Sequence, residues 1–216
     1  MSLQSTIKYA CPKCKHKQKI TKWETVNVDL NPEIKQKILT GFDFFSQHCD
    51  RCGTKTIVFH SFLYHDMSRN LLIYFASDQD SYDSFMASKG KSFEIIHKLS
   101  PSKYTCRVIP GGWRSFQEKI HILDAGLDDR IIEFVKTMMA GFLAENAIKG
   151  CEPKDLSISF SEDVPTLMAN LNGKSREIVG VDIYSCYKQM KEGLENFPDD
   201  STEFKVIDHN WVASVT

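Results

Sequence analysis

Apolar and polar positions along the chain predict a succession of short strands and helices. Residues 19–30 partly alternate in polarity, which is typical of a strand. Asn31, Pro32 and Glu33 then favour the start of a helix, because Asn caps, Pro suits the first turn and Glu lies at the positive end of the helix dipole. Gly41 is expected to end this helix.

Later segments continue this mixture of strands and helices. A polar turn at residues 65–69 between two apolar runs predicts a hairpin, and Ser115 with Glu118 predicts a capping box at a helix start. The predicted elements, in chain order, are strands at 42–47, 57–64 and 70–75, a helix at 79–89, a strand at 103–109, helices at 115–124 and 128–146, a strand at 156–160, a hairpin at 166–181, a helix at 184–196 and a strand at 204–207.

The helix at residues 128–146 is expected to bury one apolar face. The residues of this predicted face share a spacing close to one helical turn and are Ile131, Val135, Met138, Met139 and Phe142. The chain shows no internal repeat and no obvious linker, so the best candidate for a domain boundary is the segment at residues 150–153.

Composition places the chain among globular proteins. Of its 216 residues, 42% are hydrophobic and 25% are charged, which excludes wholesale disorder. No apolar run approaches the ~20 residues of a membrane-spanning helix, and residues 1–10 lack the apolar stretch of a secretory signal. We therefore expect a cytoplasmic protein without a membrane partner.

Two cysteine pairs predict a metal site. Cys11 and Cys14, like Cys49 and Cys52, are separated by two residues, a spacing that lets both sulfurs of a tight turn point at one cation. Zn²⁺ accepts four thiolates in a tetrahedron. Gly53, directly after the second pair, suits a turn that needs a positive φ. These four cysteines are therefore interpreted as ligands of a structural zinc ion.

Other interpretations of the same thiols stay open. A redox dithiol normally opens a helix in a parallel α/β unit, and the sequence predicts no such unit here. An iron or iron–sulfur site is also compatible, because tetrathiolate spacing does not select the metal. His16 and His48 flank the pairs and are interpreted as neighbours, since four sulfurs already complete the tetrahedron.

The first part of the chain is basic. The first 22 residues contain six lysines and no acidic residue. The preferred interpretation is a solvated lysine surface around a metal site whose thiolates are negative. The alternative is an acidic partner, either another acidic surface or a nucleic acid. The candidate nucleic-acid contacts are Lys13, Lys15, Lys17, Lys19 and Lys22.

An enzymatic function is a further hypothesis. Tyr64, His65 and Asp66 place two titratable groups and a phenol at the predicted hairpin turn. Adjacent residues of a strand point to opposite faces, so His65 and Asp66 act on one atom only if the turn redirects them. The sequence contains no nucleophile elbow, phosphate-binding glycine loop or His-Glu metalloprotease motif. A binding or regulatory module is therefore the preferred interpretation.

The assembled motifs are similar to those of the CpXC family of bacterial and archaeal proteins. The Cys-Pro-x-Cys motif is intact at residues 11–14, whereas the second pair has Asp50 where the family often has proline. Further similar segments lie at residues 31–33, 63–66, 118–120, 126–130 and, more weakly, 208–213. The resemblance implies a zinc-ribbon-like N-terminus on an α+β body and supplies no substrate. We therefore expect one compact α+β body, with a zinc-ribbon-like subdomain at residues 1–60 and the remainder at residues 61–216.

Overall fold

The computed structural model describes residues 2–88, 104–162, 164–194 and 203–216. These residues form ten strands and six helices, which confirms the predicted α+β fold. None of the helices in the described ranges combines the length and apolar character needed to cross a membrane.

Contacts divide the chain into two compact units. The first contains Met1–Gly112 with Asp200–Lys205, and the second contains Trp113–Asp199 with Val206–Thr216. The boundaries expected at residues 60 and 150 lie inside the first and the second unit, respectively. They stay predictions of a finer subdivision.

The first unit contains seven strands and two helices among its described residues. The strands are β1 (Leu3–Ala10), β2 (Lys17–Asn27), β3 (Ser46–His48), β4 (Lys55–Ile57), β5 (Phe62–Asp66), β6 (Leu71–Ala76) and β7 (Thr105–Pro110). The helices are α1 (Pro32–Leu39) and α2 (79–88). A 3-10 turn at Asp43–Phe45 precedes β3.

Five of these strands form one mixed sheet in the order β1-β2-β5-β6-β7. The β5–β6 hairpin is confirmed, and β1 pairs antiparallel with β2. By contrast, β2 pairs parallel with β5, so the chain must cross over between them. That connection carries α1 and the separate β3–β4 hairpin. The crossover therefore brings the second cysteine pair back towards the first.

Aromatic rings pack around Phe45, just before β3. The Phe45 ring lies between those of Phe59 and Phe75, at centroid distances of 4.7 and 5.9 Å, respectively. Phe44 contacts Phe62 at 4.7 Å. The predicted strand at 42–47 is wrong at its start, because the 3-10 turn allows the consecutive Phe44 and Phe45 both to point inward, whereas a strand would place them on opposite faces.

The second unit packs helices on a three-stranded sheet. Its helices are α3 (Trp113–Asp124), α4 (Asp129–Asn146), α5 (Ile183–Gly193) and α6 (His209–Val215), and its strands are β8 (Leu156–Ser161), β9 (Val164–Leu171) and β10 (Lys174–Glu177). The strands pair antiparallel in the order β10-β9-β8. Ile132, Val135 and Leu143 of α4 pack with Ile158 and Leu167 of the sheet.

Buried charges join α3 to α4. Lys119 Nζ lies 3.0 Å from an Asp129 carboxylate oxygen and donates to the Ile207 carbonyl at 2.9 Å. Lys136 Nζ lies 3.0 Å from Glu133 and 3.4 Å from Glu118. A buried ammonium needs such partners, since its desolvation is otherwise very costly. The network therefore fixes the two helices and the segment at Ile207 in one arrangement.

Two predicted details of these helices are wrong. The helix α3 begins at Trp113, so Ser115 and Glu118 form no capping box, and Glu118 instead accepts a hydrogen bond from the Ile158 N–H at 2.8 Å. On α4, Met138 and Phe142 are exposed by 45% and 57%, respectively. The buried face of α4 is rotated by about one residue from the predicted face, and the β8–β9 hairpin packs against it.

The ends of the chain also differ from the prediction. The strand β1 was not predicted, and residues 204–207 contribute one isolated bridge, Arg107 with Lys205, rather than a strand. After them, the Asp208 carboxylate accepts hydrogen bonds from the N–H groups of Asn210 and Trp211 and begins α6, which was also not predicted. Asn31 does not cap α1 with its side chain, because its amide oxygen accepts from the Ser2 hydroxyl. Predicted helix and strand ends at residues 89, 103 and 196 lie outside the described residues.

Candidate metal centre

The first cysteine pair lies in the turn that joins β1 to β2. The Cys11 N–H donates to the His16 carbonyl at 2.9 Å, and the Cys11 carbonyl accepts from the Lys15 N–H at 2.9 Å. These bonds fold the backbone under the two sulfurs. They require Lys15 to adopt a φ of 59°, a left-handed conformation that is uncommon for a residue with a side chain.

The second pair lies between β3 and β4 and repeats this geometry. The Cys49 N–H donates to the Thr54 carbonyl at 3.0 Å, and the Cys49 carbonyl accepts from the Gly53 N–H at 2.8 Å. Gly53 takes the position of Lys15 with a φ of 67°, which confirms the conformation predicted for it. Because glycine has no Cβ, this turn forms without the strain present at Lys15.

The two turns bring all four sulfurs together. Cys11 Sγ lies 3.7 Å from Cys52 Sγ, Cys14 Sγ lies 3.6 Å from Cys49 Sγ, and all four atoms lie within 4.8 Å of one another. Four thiolates at about 2.3 Å from one ion have sulfurs about 3.8 Å apart. A disulfide would need about 2.05 Å, and all seven cysteines are free. The described cluster therefore has the dimensions of a site for one metal ion.

Burial of the cluster is uneven. Cys11 and Cys49, the first cysteine of each pair, are buried, whereas Cys14 is partly exposed and Cys52 is exposed. The Cys52 sulfur also lies 3.2 Å from the Thr54 hydroxyl, which can donate a hydrogen bond to a thiolate. One side of the cluster is thus anchored in the protein and the other faces solvent.

Gln18 links the two turns to each other. Its side-chain amide donates to the His48 carbonyl at 2.8 Å and accepts from the Asp50 N–H at 3.0 Å. Gln18 belongs to β2, just after the first pair, and its two partners flank Cys49. The side chain therefore fixes the second turn against the first hairpin.

The thiols of the cluster do not ionise alike. Hydrogen bonds from the side chain and backbone of Thr54 lower the pKa of Cys52 to about 6. At Cys14, a hydrogen bond from the His16 backbone lowers the pKa, but burial and the neighbouring thiols outweigh it and raise the pKa to about 11. Like charges at this distance oppose full ionisation. A divalent cation would reverse that preference, because it favours the thiolate at every sulfur it contacts.

The predicted basic residues separate into different surroundings. Lys13 and Lys15 are exposed in the first turn, and Lys17 and Lys19 are exposed on β2. Lys22 is partly buried and lies 2.9 Å from a Glu24 carboxylate oxygen. Contact of these five lysines with a nucleic acid stays a prediction.

His65 and Asp66 have separate environments. His65 Nε2 lies 3.1 Å from the Tyr104 hydroxyl, whereas the buried Asp66 carboxylate contacts Lys35 Nζ at 3.1 Å and accepts from the Ser68 hydroxyl at 2.8 Å. The alternation along β5 puts the two side chains on opposite faces of the strand. Asp66 therefore stabilises the hairpin turn, and the geometry gives no support to a shared catalytic role.

Sequence reasoning found the four cysteines and missed the residues that support them. Gln18 and Thr54 are ordinary polar residues in the sequence, and their partners become visible only once the hairpins are placed. The single available signal was the position of Thr54 two residues after Cys52.

Comparison with known proteins identifies a family. A family model described as CpXC protein matches residues 9–136, which is more than half of the chain. The matched region includes all four cysteines and the buried charges of α3 and α4 up to Lys136. No curated protein and no solved structure matches the chain.

Proposed function

Because the chain belongs to the CpXC family, we propose that its two cysteine turns hold a structural zinc ion that organises the N-terminal part as a binding module. The observation that carries this proposal is the cluster of Cys11, Cys14, Cys49 and Cys52 sulfurs within 4.8 Å of one another. In this proposal the subdomain comprises residues 1–60 and works in the reducing cytoplasm, where four thiols stay free to bind a metal.

The separations favour one ion over a cluster of several irons. Sulfurs 3.6 to 3.7 Å apart surround one ion at normal metal–sulfur bond lengths and leave no space for a polynuclear core. A single iron would have similar bond lengths. Zn²⁺ is the preferred ion because it accepts a tetrahedral tetrathiolate site without a preferred oxidation state or ligand-field geometry.

A structural role follows from the number of ligands. Four sulfurs complete the tetrahedron, so the ion keeps no open position for water or substrate. Its contribution is to join two cysteine pairs that have 34 residues between them. The module then presents a rigid surface, and the lysines around the turns favour an acidic partner.

Metal removal tests the structural role. We expect a strong chelator such as EDTA with a mild reductant to lower the thermal midpoint of the protein, because the free energy of metal binding that joins the two turns is lost with the ion. Zinc content and midpoint should fall together and recover together on adding Zn²⁺. The Cys49→Ser variant should behave like the chelated protein.

The matched control is Cys106→Ser, since Cys106 is a buried cysteine of β7 outside the cluster. It should keep its full zinc content even if its midpoint falls. A metal-free protein with the same midpoint and circular dichroism as the zinc form would contradict the structural role.

A further inference from the structure

One face of the β1–β2 hairpin carries uncompensated positive charge. The strands pair so that Lys8 lies directly opposite Lys19, Thr6 opposite Thr21, and Ala10 opposite Lys17. Residues opposite each other in an antiparallel pair point to the same face. We call the face formed by Lys8, Lys17 and Lys19 the basic face; all three lysines are exposed.

Opposing lysines are unfavourable for folding. Like charges directly across a sheet destabilise the pair, and the Cβ atoms of such residues lie about 5 Å apart. Among the described residues, no acidic side chain forms an ion pair with Lys8, Lys17 or Lys19. The lysines of the basic face therefore have, within the described ranges, no carboxylate partner of the kind that Glu24 provides for Lys22.

The opposite face of the hairpin is occupied by the protein itself. Ile20 is buried there, Gln18 reaches the second cysteine turn, and Lys22 pairs with Glu24. Glu24 also accepts a hydrogen bond from the Ser5 hydroxyl at 2.6 Å. Lys22 thus belongs to the internal face, and Lys8, which is not among the five predicted contacts, belongs to the basic face.

An aromatic ring lies on the same face as the lysines. Trp23 is opposite Gln4 and two residues beyond Thr21, and its side chain is partly exposed. Aromatic side chains next to a basic track are suited to stacking with the bases of a single strand. The carboxylates of an acidic peptide provide no flat ring to stack on Trp23.

The cations of the basic face are compatible with a phosphate backbone. The face contains lysines and no arginine, and a lysine ammonium is a point charge that meets a phosphate without fixed geometry. The planar fork of arginine binds carboxylates and phosphates alike, so the absence of arginine does not choose between an acidic protein segment and a nucleic acid. The partly exposed ring of Trp23 is the feature that favours the nucleic acid.

From these observations we infer that the basic face, together with Trp23, binds single-stranded nucleic acid, with the phosphates on Lys8, Lys17 and Lys19 and a base stacked on Trp23. The inference rests on the proposed binding function and names its partner. The metal centre at the end of the hairpin holds the strands in the register that aligns these residues.

Fluorescence anisotropy with a labelled 20-nucleotide single strand tests this inference, with DNA and RNA measured in parallel on the full chain. Three phosphate contacts predict a slope of about −2 for log K against log salt, so raising the salt from 50 to 200 mM weakens binding about 20-fold. Binding should quench tryptophan fluorescence in the wild type, and this change should be absent in Trp23→Phe.

Charge-matched variants separate the basic face from net charge. Lys8→Gln, Lys17→Gln and Lys19→Gln combined should lose binding by about tenfold or more. The control, Lys149→Gln with Lys174→Gln and Lys188→Gln, removes the same charge from exposed positions outside the hairpin and should bind within about twofold of the wild type. Zinc content is measured for every variant.

The outcomes distinguish the two proposals. A zinc-loaded wild type that does not bind the single strand, or whose control variant loses as much affinity as the triple variant, overturns this inference and leaves the metal centre standing. Displacement by polyglutamate at equal affinity without a change in Trp23 fluorescence overturns it in favour of an acidic protein partner. A wild type without zinc contradicts the proposed metal centre instead.

Discussion

Gln18 is the residue whose removal should weaken the metal centre without touching a ligand. Its amide forms two hydrogen bonds to the backbone on either side of Cys49, at 2.8 Å to the His48 carbonyl and at 3.0 Å from the Asp50 N–H. Gln18→Ala removes both bonds and leaves the four sulfurs unchanged. The two turns then lose the contact that holds them in register before the ion binds.

The magnitude follows from the two bonds. A hydrogen bond contributes about 0.5 to 1.5 kcal/mol, and this site is exposed, so the lower part of that range applies. Together they give about 1 to 2 kcal/mol, which corresponds to about a 5- to 30-fold weaker affinity for zinc. Residues that support metal ligands indirectly typically change affinity by about 10- to 100-fold.

Competition with a chromophoric zinc chelator measures this change. Gln4→Ala is the matched control, since Gln4 is an exposed glutamine of the same hairpin, opposite Trp23. We expect Gln18→Ala to release zinc at a lower chelator concentration and Gln4→Ala to behave as the wild type. Equal zinc affinity of Gln18→Ala and wild type would refute the idea that this side chain aligns the two turns.

Two further predictions concern buried groups outside the cluster. Lys119→Met should lower the free energy of unfolding by about 3 to 5 kcal/mol in urea denaturation, because Asp129 loses a buried ammonium 3.0 Å away. The exposed control Lys174→Met should change this free energy by less than about 0.5 kcal/mol. An equally small effect of Lys119→Met would contradict the stabilising role of the buried ion pair. The backbone N–H of Trp23 donates to His60 Nε2 at 3.2 Å, so the His60 ring is neutral. Burial lowers the pKa of His60 below its ordinary value of 6.5, although a hydrogen bond to the Val58 backbone opposes the shift. The contribution of the neutral His60 ring to stability is fully present above pH 6.5 and is lost as the pH falls through the lowered pKa of the folded protein. The free energy of unfolding, measured from pH 7 to 5, should therefore fall more steeply for the wild type than for His60→Gln. Parallel curves would rule out a contribution from His60.

The candidate ligands could be predicted because their chemistry is local in sequence. Two residues between Cys11 and Cys14, and between Cys49 and Cys52, are enough to place a sulfur pair on a tight turn. Gly53 carried its own signal, since a left-handed turn favours glycine. Such features do not depend on the rest of the fold, and the structure brings the four sulfurs together and gives Gly53 a positive φ.

Features that depend on distant partners could not be predicted in the same way. The bonds of Gln18 join residues about 30 positions away, and Lys119 donates to a carbonyl 88 residues further along the chain. In the sequence, Lys119 and Glu133 look like exposed helix positions, and only the packing of α3 against α4 shows that they are buried. The strand β1 was missed for a similar reason, since its residues are mostly polar and its order comes from pairing with β2.

The central claim is that four cysteine sulfurs hold one zinc ion, and X-ray absorption at the zinc edge, combined with metal analysis of the purified protein, tests it most directly. We predict one zinc per chain with four sulfur neighbours at about 2.3 Å. A protein without bound metal, a different metal, or a first shell containing nitrogen or oxygen in place of sulfur would contradict the claim.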